Sequence, residues 1–240
     1  MGCDIHFRVE KREGETWVPA ETMIPNKYYE PGGDEPETIP KRFYESRNYD
    51  LFAILADVRN GRGFGGCDTG NGFTPIAPCR SLPDDVSESV KAEAHGWGVD
   101  GHSHSWLLLS EILAFDWTQT TKQRGWVNGI EAEQWFRMRE WNIRPESYCG
   151  EVSGGGVKHI SIEEMESHIT EIKAKYFTPQ TRDWEGFEKE VASELGHTYA
   201  QAEWEIDYAQ CCQEFWWSTI PKLLRVGRPE DVRLVFWFDN

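Results

Sequence analysis

The fold is decided by a stretch near the end of the sequence, Val232-Arg233-Leu234-Val235-Phe236-Trp237-Phe238. Only Arg233 is charged, as is typical of a strand that is buried on both faces. Residues 3–10 instead alternate apolar and polar side chains, which predicts a strand with one buried face. We expect these two strands to pair in a mostly antiparallel sheet, within one α+β domain over residues 1–240, with the helices packed against one face of the sheet.

The sequence between these strands predicts further elements. Thr16-Trp17-Val18 follows the turn Glu13-Gly14-Glu15 and is the candidate second strand of a hairpin, and the stretch from His102 to Leu107 is short and extended. Residues 61–78 and 150–156 are rich in glycine and predict loops. Apolar spacing and capping signals predict helices after Asn48, from Leu82 to about His95, from Ser110, from Ser161 to Tyr176 and from Thr198 to about Leu224.

Composition restricts the partners. The chain has 41 Asp and Glu against 25 Lys and Arg, and its formal net charge is −16. Such a surface repels nucleic acid polymers and anionic membranes, although one local basic pocket can still hold a small anion. No apolar run is long enough to span a membrane. The six cysteines form no CxxC pair and no export signal is present, so a cytoplasmic protein with reduced thiols is expected.

The segment Gly101-His102-Ser103-His104-Ser105-Trp106 is the first candidate for chemistry. An extended chain would place both imidazoles on the same face, about 7 Å apart. They can share a divalent metal ion or act as a general acid/base pair on a phosphate. Two histidines do not complete a metal shell, so a carboxylate such as Asp4 must join them. The alternative is that both histidines only bond to nearby backbone.

Asp4 and His6 are the second candidate, because they share one face of the first strand. A buried Asp–His pair fixes the imidazole tautomer and raises its basicity. The alternative is a polar face turned to solvent, which the alternation alone also predicts. If the first and last strands pair, Asp239 and Asn240 lie close to both side chains.

Ser46-Arg47-Asn48 at a helix start is the third candidate, because unpaired N–H groups and a guanidinium together bind anions. Simple helix capping is the alternative. The loop that contains Arg62 offers backbone donors to a phosphate. Trp97 and Trp106 flank the two histidines, and their rings can stack on a base or simply close the loop. Cys3 lies on the apolar face of its strand and is expected to be a buried structural thiol.

Four motifs resemble an uncharacterised family of phage and prophage proteins. They are the opening Met1-Gly2-Cys3-Asp4-Ile5-His6, the segment from Ser46 to Ala53, Gly101-His102-Ser103-His104-Ser105-Trp106-Leu107, and the closing Phe238-Asp239-Asn240. The resemblance implies a small accessory phage protein that works in the infected cytoplasm. Such proteins often counter host defence, and several bind or cleave nucleotide immune signals.

Three functional hypotheses follow. The first is an enzyme that hydrolyses a phosphodiester of a small cyclic nucleotide, with acid/base or metal assistance from His102, His104, His6 and Asp4. The second is a sponge that sequesters such a nucleotide between subunits of a homo-oligomer. The third is an acidic inhibitor that mimics DNA toward a host protein. In the first two, the ligand-binding residues are Arg47, Asn48, Arg62, Trp106, Asp239 and Asn240.

Overall fold

The computed structural model describes residues 2–141 and 143–239. Over these residues the strands are β1 Asp4–Glu13, β2 Thr16–Pro19, β3 Met23–Pro25, β4 Thr38–Pro40, β5 His102–Leu108, β6 Thr120–Asn128, β7 Lys158–Ile160, β8 Thr198–Asp207 and β9 Val232–Asp239. The α-helices are α1 Tyr49–Ala56, α2 Glu88–Gly96, α3 Leu109–Ala114, α4 Gly129–Phe136, α5 Ile162–Tyr176, α6 Trp184–Leu195, α7 Tyr208–Cys211 and α8 Ile220–Leu223.

The fold is α+β with mostly antiparallel sheets, as the sequence predicts. The chain divides into two compact units. The first unit comprises Met1–Asn60, Phe73–Thr118 and Ala209–Asn240, and the second comprises Gly61–Gly72 and Gln119–Tyr208. That residues 1–240 form a single domain stays a prediction.

The four-stranded sheet of the first unit has the order β2-β1-β9-β5. β1 and β9 pair antiparallel from Asp4 opposite Asp239 to Lys11 opposite Val232, so the predicted pairing of the first and last strands is confirmed. Residues 232–238 are all buried. A central strand of this kind is apolar on both faces because each face packs against another layer.

Helices cover both faces of this sheet. The ring of Phe238 lies 5.1 Å from that of Phe52 in α1, whereas Trp237 packs with Val90 and Ala94 of α2. Successive strand residues point to opposite faces, so α1 and α2 lie on different sides. The expectation that the helices pack on one face is wrong, because a strand that is apolar on both sides must be covered on both.

The sheet of the second unit has the order β6-β8-β7, with β6 antiparallel and β7 parallel to β8. The predicted helix from Thr198 to about Leu224 is wrong over its first ten residues, which form β8. There the side chains alternate between buried and more exposed along the strand, and this two-residue period determines the local structure. In contrast, the helix predicted after Ser161 is confirmed, since the Ser161 side chain accepts from the Glu164 N–H.

No helix in the described parts of the chain is both long and apolar enough to cross a membrane.

Candidate functional site

A histidine–aspartate pair lies where β1 and β9 meet at one end of the first unit's sheet. The Nε2 atom of His6 is 3.3 Å from Oδ2 of Asp239, and the two side chains are 18% and 20% exposed. The other carboxylate oxygen of Asp239 accepts a hydrogen bond of 3.0 Å from the Asp4 backbone N–H. Asp239 is thus fixed by the backbone and orients the imidazole, as in other sites where a carboxylate sets the tautomer of a histidine.

Two indoles contact the His6 ring. The Trp97 ring lies 4.0 Å from it with a tilt of 38°, and the Trp237 ring lies 5.5 Å away and is nearly parallel. Trp237 is fully buried, whereas Trp97 is 36% exposed. Trp97 belongs to the turn after α2, in which Gly98 has a φ of 53°. The exposed indole therefore forms the solvent side of the site and offers a flat apolar surface beside the imidazole.

Arg47 binds the carboxylate of Asp4. Its Nε and Nη2 atoms donate hydrogen bonds of 2.7 and 2.6 Å to the two oxygens, and both side chains are about half exposed. Hydrogen bonding to Arg47 lowers the pKa of Asp4, and the same contact raises the pKa of Arg47. The guanidinium is thus at the site, with its Nη1 atom outside this bidentate pair.

The neighbouring Asn48 is a helix cap. Its side-chain oxygen accepts a 3.1 Å hydrogen bond from the Leu51 N–H at the start of α1, and its side-chain nitrogen donates to the Cys211 carbonyl at 2.9 Å. Both ends of the amide are therefore used within the protein. The capping interpretation of Ser46-Arg47-Asn48 holds for Asn48.

His102 and His104 do not share a face. β5 pairs with β9 through His102 opposite Phe238 and Ser105 opposite Phe236, with a register shift between them. Ser103 has a φ of 51°, and this left-handed residue creates a β-bulge. His104 consequently stacks on Trp237, and His102 lies over Phe238. Because Trp237 and Phe238 point to opposite faces of β9, the expected common face of the two imidazoles is wrong.

Of the two histidines of β5, His104 lies on the face of the sheet that carries His6, and His102 does not. The Trp237 ring, which the His6 ring also contacts, is 5.9 Å from the His104 ring. Burial lowers the pKa of His104, and a hydrogen bond with the Ala94 backbone opposes this shift, so the imidazole is neutral at pH 7. Its Nε2 atom is buried, and within the described ranges it has no hydrogen-bond partner.

The predicted metal ligands His102, His104 and Asp4 are not grouped around a common point. Among residues 2–141 and 143–239, no three or more His, Cys, Asp or Glu side chains form a group that could hold a metal ion. The bulge at Ser103 explains part of this result, because it separates the two imidazoles. The site that the structure assembles is instead the His6–Asp239 pair with Asp4, Arg47 and Trp97.

The other predicted site residues have different surroundings. Trp106 packs against the cluster around Val90, and the Arg80 guanidinium lies 4.9 Å above its ring, so its contacts are those of a packing residue. Arg62 is exposed and belongs to the second unit. Cys3 is fully buried, as predicted, and burial raises the pKa of its thiol. Asn240 lies outside the described residues.

The contact of Trp97 with His6 could not be read from the sequence, in which 90 residues lie between the two. Comparison of the chain with protein-family models, with curated proteins and with solved structures found no match.

Proposed function

We propose that the first unit binds a small nucleotide and hydrolyses one of its phosphodiester bonds, with His6 as the general acid/base. The observation that carries this proposal is the His6–Asp239 pair, partly open to solvent and held by the backbone of Asp4. Following the resemblance to phage proteins, the substrate would be a nucleotide signal of host defence, such as a cyclic dinucleotide.

The nucleotide is inferred from the chemistry around His6. Trp97 presents an exposed indole on which a base can stack, a contact that tolerates every base because each has a flat π-face. Arg47 supplies a guanidinium, the side chain best suited to bind phosphate. To reach the Nε and Nη2 atoms, a phosphate must displace the carboxylate of Asp4, since both atoms now bind it.

The orientation of His6 determines the proton transfers. Nε2 faces the Asp239 carboxylate, so it carries the hydrogen and Nδ1 is the nitrogen that can accept a proton. In the proposed step, Nδ1 takes a proton from water as the water oxygen attacks phosphorus. The bond between phosphorus and the ester oxygen then breaks, and the imidazolium returns its proton to that oxygen. Asp239 stabilises the imidazolium between the two transfers.

Sequestration without chemistry is a second candidate function. The packing of the His6 ring against the rings of Trp97 and Trp237 favours it, because an imidazole in contact with two indoles has little room to move during proton transfer. In this function the same arginine and indole bind an intact nucleotide.

Turnover separates these functions. The purified chain is incubated with cyclic mononucleotides and dinucleotides, and the products are resolved by chromatography. A new linear product supports hydrolysis, whereas intact nucleotide released from the protein by heat supports sequestration. If neither cleavage nor retention is observed for any nucleotide, both functions are wrong and an acidic protein-interaction role is left.

Variants test the assigned residues. A general base contributes about 10²- to 10⁴-fold to a rate, so His6→Ala should lower turnover by that factor and Asp239→Asn by a smaller one. His102→Ala is the matched control, since its imidazole lies over Phe238 on the other face of the sheet. Equal losses in the His6 and His102 variants, with both folded by circular dichroism, would contradict the assignment of His6.

A further inference from the structure

A pocket in the second unit opens between α4 and α6. Its volume is about 180 Å³, slightly above that of an engineered cavity of about 150 Å³ that holds benzene. One wall is apolar and is formed by Ile130, Phe187 and Val191. Phe187 and Val191 are buried in the unit's core, whereas Ile130 is 38% exposed and stands toward solvent. The pocket is thus the size of a small organic molecule and has an apolar floor.

The charged side chains that line the pocket are two carboxylates and one guanidinium. The buried Glu133 accepts a hydrogen bond of 2.7 Å from Nε of Arg137 and a second from Nη2, and the Arg137 guanidinium lies 4.6 Å above the Trp184 ring. This pair is neutral as a whole. Glu188 adds a second carboxylate to the lining, and its charge also raises the pKa of Arg137. Two carboxylates therefore face one guanidinium, which leaves a net negative charge.

We propose that this pocket binds a small primary alkylamine. The ammonium group is placed against Glu188, and an alkyl chain of about four carbons lies along Ile130, Phe187 and Val191. A cation is favoured because the site carries one unbalanced carboxylate, and an alkyl chain is favoured because burial in the apolar wall stabilises the complex by about 0.8 kcal/mol per CH₂ group. The same charge disfavours an anion of equal size.

The charge is tested with two probes of equal length, n-butylamine and n-butanol, added to the ¹⁵N-labelled full chain. Backbone amide shifts identify the residues that each probe contacts. Butylamine should shift the amides of Ile130 and Glu188 and bind about two- to fivefold more tightly than butanol, the range expected for one solvent-exposed ion pair. Equal affinities, or shifts confined to other residues, would overturn the proposal.

A matched pair of variants tests the role of Glu188. Glu188→Gln should reduce the affinity for butylamine to that for butanol. Glu185→Gln is the control, because Glu185 lies on the same helix but pairs with Lys189 outside the pocket, and it should leave both affinities unchanged. If both variants weaken butylamine equally, the effect is one of overall charge and the assigned site is wrong. All these residues belong to the second unit, so the outcome is independent of the function proposed for His6.

Discussion

Replacement of Glu10 by Gln tests how the buried charges of the first unit are balanced. Glu10 is fully buried, and its Oε2 accepts a 2.7 Å hydrogen bond from Nε of Arg233, which is 2% exposed. Its other oxygen accepts a 2.8 Å hydrogen bond from the Ser87 N–H just before α2. Gln has the same shape, but its amide nitrogen cannot accept a hydrogen bond, so it keeps only one of these two contacts. The substitution therefore removes the charge and one hydrogen bond.

The expected loss is large because Arg233 stays charged and buried. Removal of one partner of a buried ion pair typically costs about 3–5 kcal/mol, a substantial part of the 5–15 kcal/mol that holds an ordinary domain folded. Arg233 also binds Asp85, with 2.6 Å between Nη1 and Oδ1, but the Asp85 side chain is 62% exposed. Solvent screens that second pair, so Asp85→Asn should cost less than about 1 kcal/mol.

The stability losses of Glu10→Gln and Asp85→Asn are measured by urea unfolding at pH 7, with hydrogen exchange of the β9 amides as the probe of the first unit. The double variant Glu10→Leu with Arg233→Met removes both buried charges, and it should be more stable than Glu10→Gln. Equal losses for Glu10→Gln and Asp85→Asn would show that the buried pair carries no special energy. A double variant less stable than Glu10→Gln would refute the argument from uncompensated charge.

Three further predictions follow from single contacts. Burial lowers the pKa of His104 below its ordinary 6.5, so below about pH 6.5 the unfolded chain binds more protons than the folded one, and the fold becomes less stable as the pH decreases. Between pH 7.5 and 5.5 the urea midpoint should therefore drop more in the wild type than in His104→Gln, and equal drops would contradict this. Gly70 has a φ of 132°, and a Cβ there would lie 2.2 Å from the Lys122 carbonyl oxygen. Gly70→Ala should therefore lower the free energy of unfolding in urea by about 1–3 kcal/mol. The control Gly155→Ala, whose Cβ would meet nothing within 4 Å, should change the free energy of unfolding by less than about 0.5 kcal/mol. Because Arg47 lowers the pKa of Asp4, the pair stabilises the fold at pH values above the ordinary Asp pKa and loses that contribution as the pH falls through the lowered pKa. In Arg47→Met, a carboxyl NMR titration should show the Asp4 pKa back at its ordinary value of about 3.8, and an unchanged pKa would assign the shift to another cause.

The central strand pair was predictable because an apolar run at residues 232–238 and an alternating pattern at residues 3–10 both agreed with the tertiary structure. β8 shows where this fails. Its alternating alanines and glutamates are good helix formers by propensity, while their two-residue alternation favours a strand. The pairing with β6 and β7 decides between the two, and that information is not local to the segment.

The orientation of the histidines was not predictable for a related reason. Serine has no strong preference for positive φ, so nothing in the His102-Ser103-His104 sequence indicates a bulge. The left-handed conformation of Ser103 is accompanied by the pairing of β5 with β9, where two residues of β5 oppose Trp237. One residue out of register is enough to turn an imidazole to the other face.

The polar face of β1 explains why the site lies at one end of the sheet. The sequence left open whether this face is turned to solvent, yet Arg8 and Glu10 on it are buried. Their charges are balanced, since Arg8 and Arg42 together bind Glu21 and Glu93, and Glu10 binds Arg233. Balanced, enclosed charges of this kind fix the structure and have no access to a substrate. His6, two residues from Arg8 on the same face, keeps 18% of its side chain exposed, so chemistry on this face is restricted to the end of the strand.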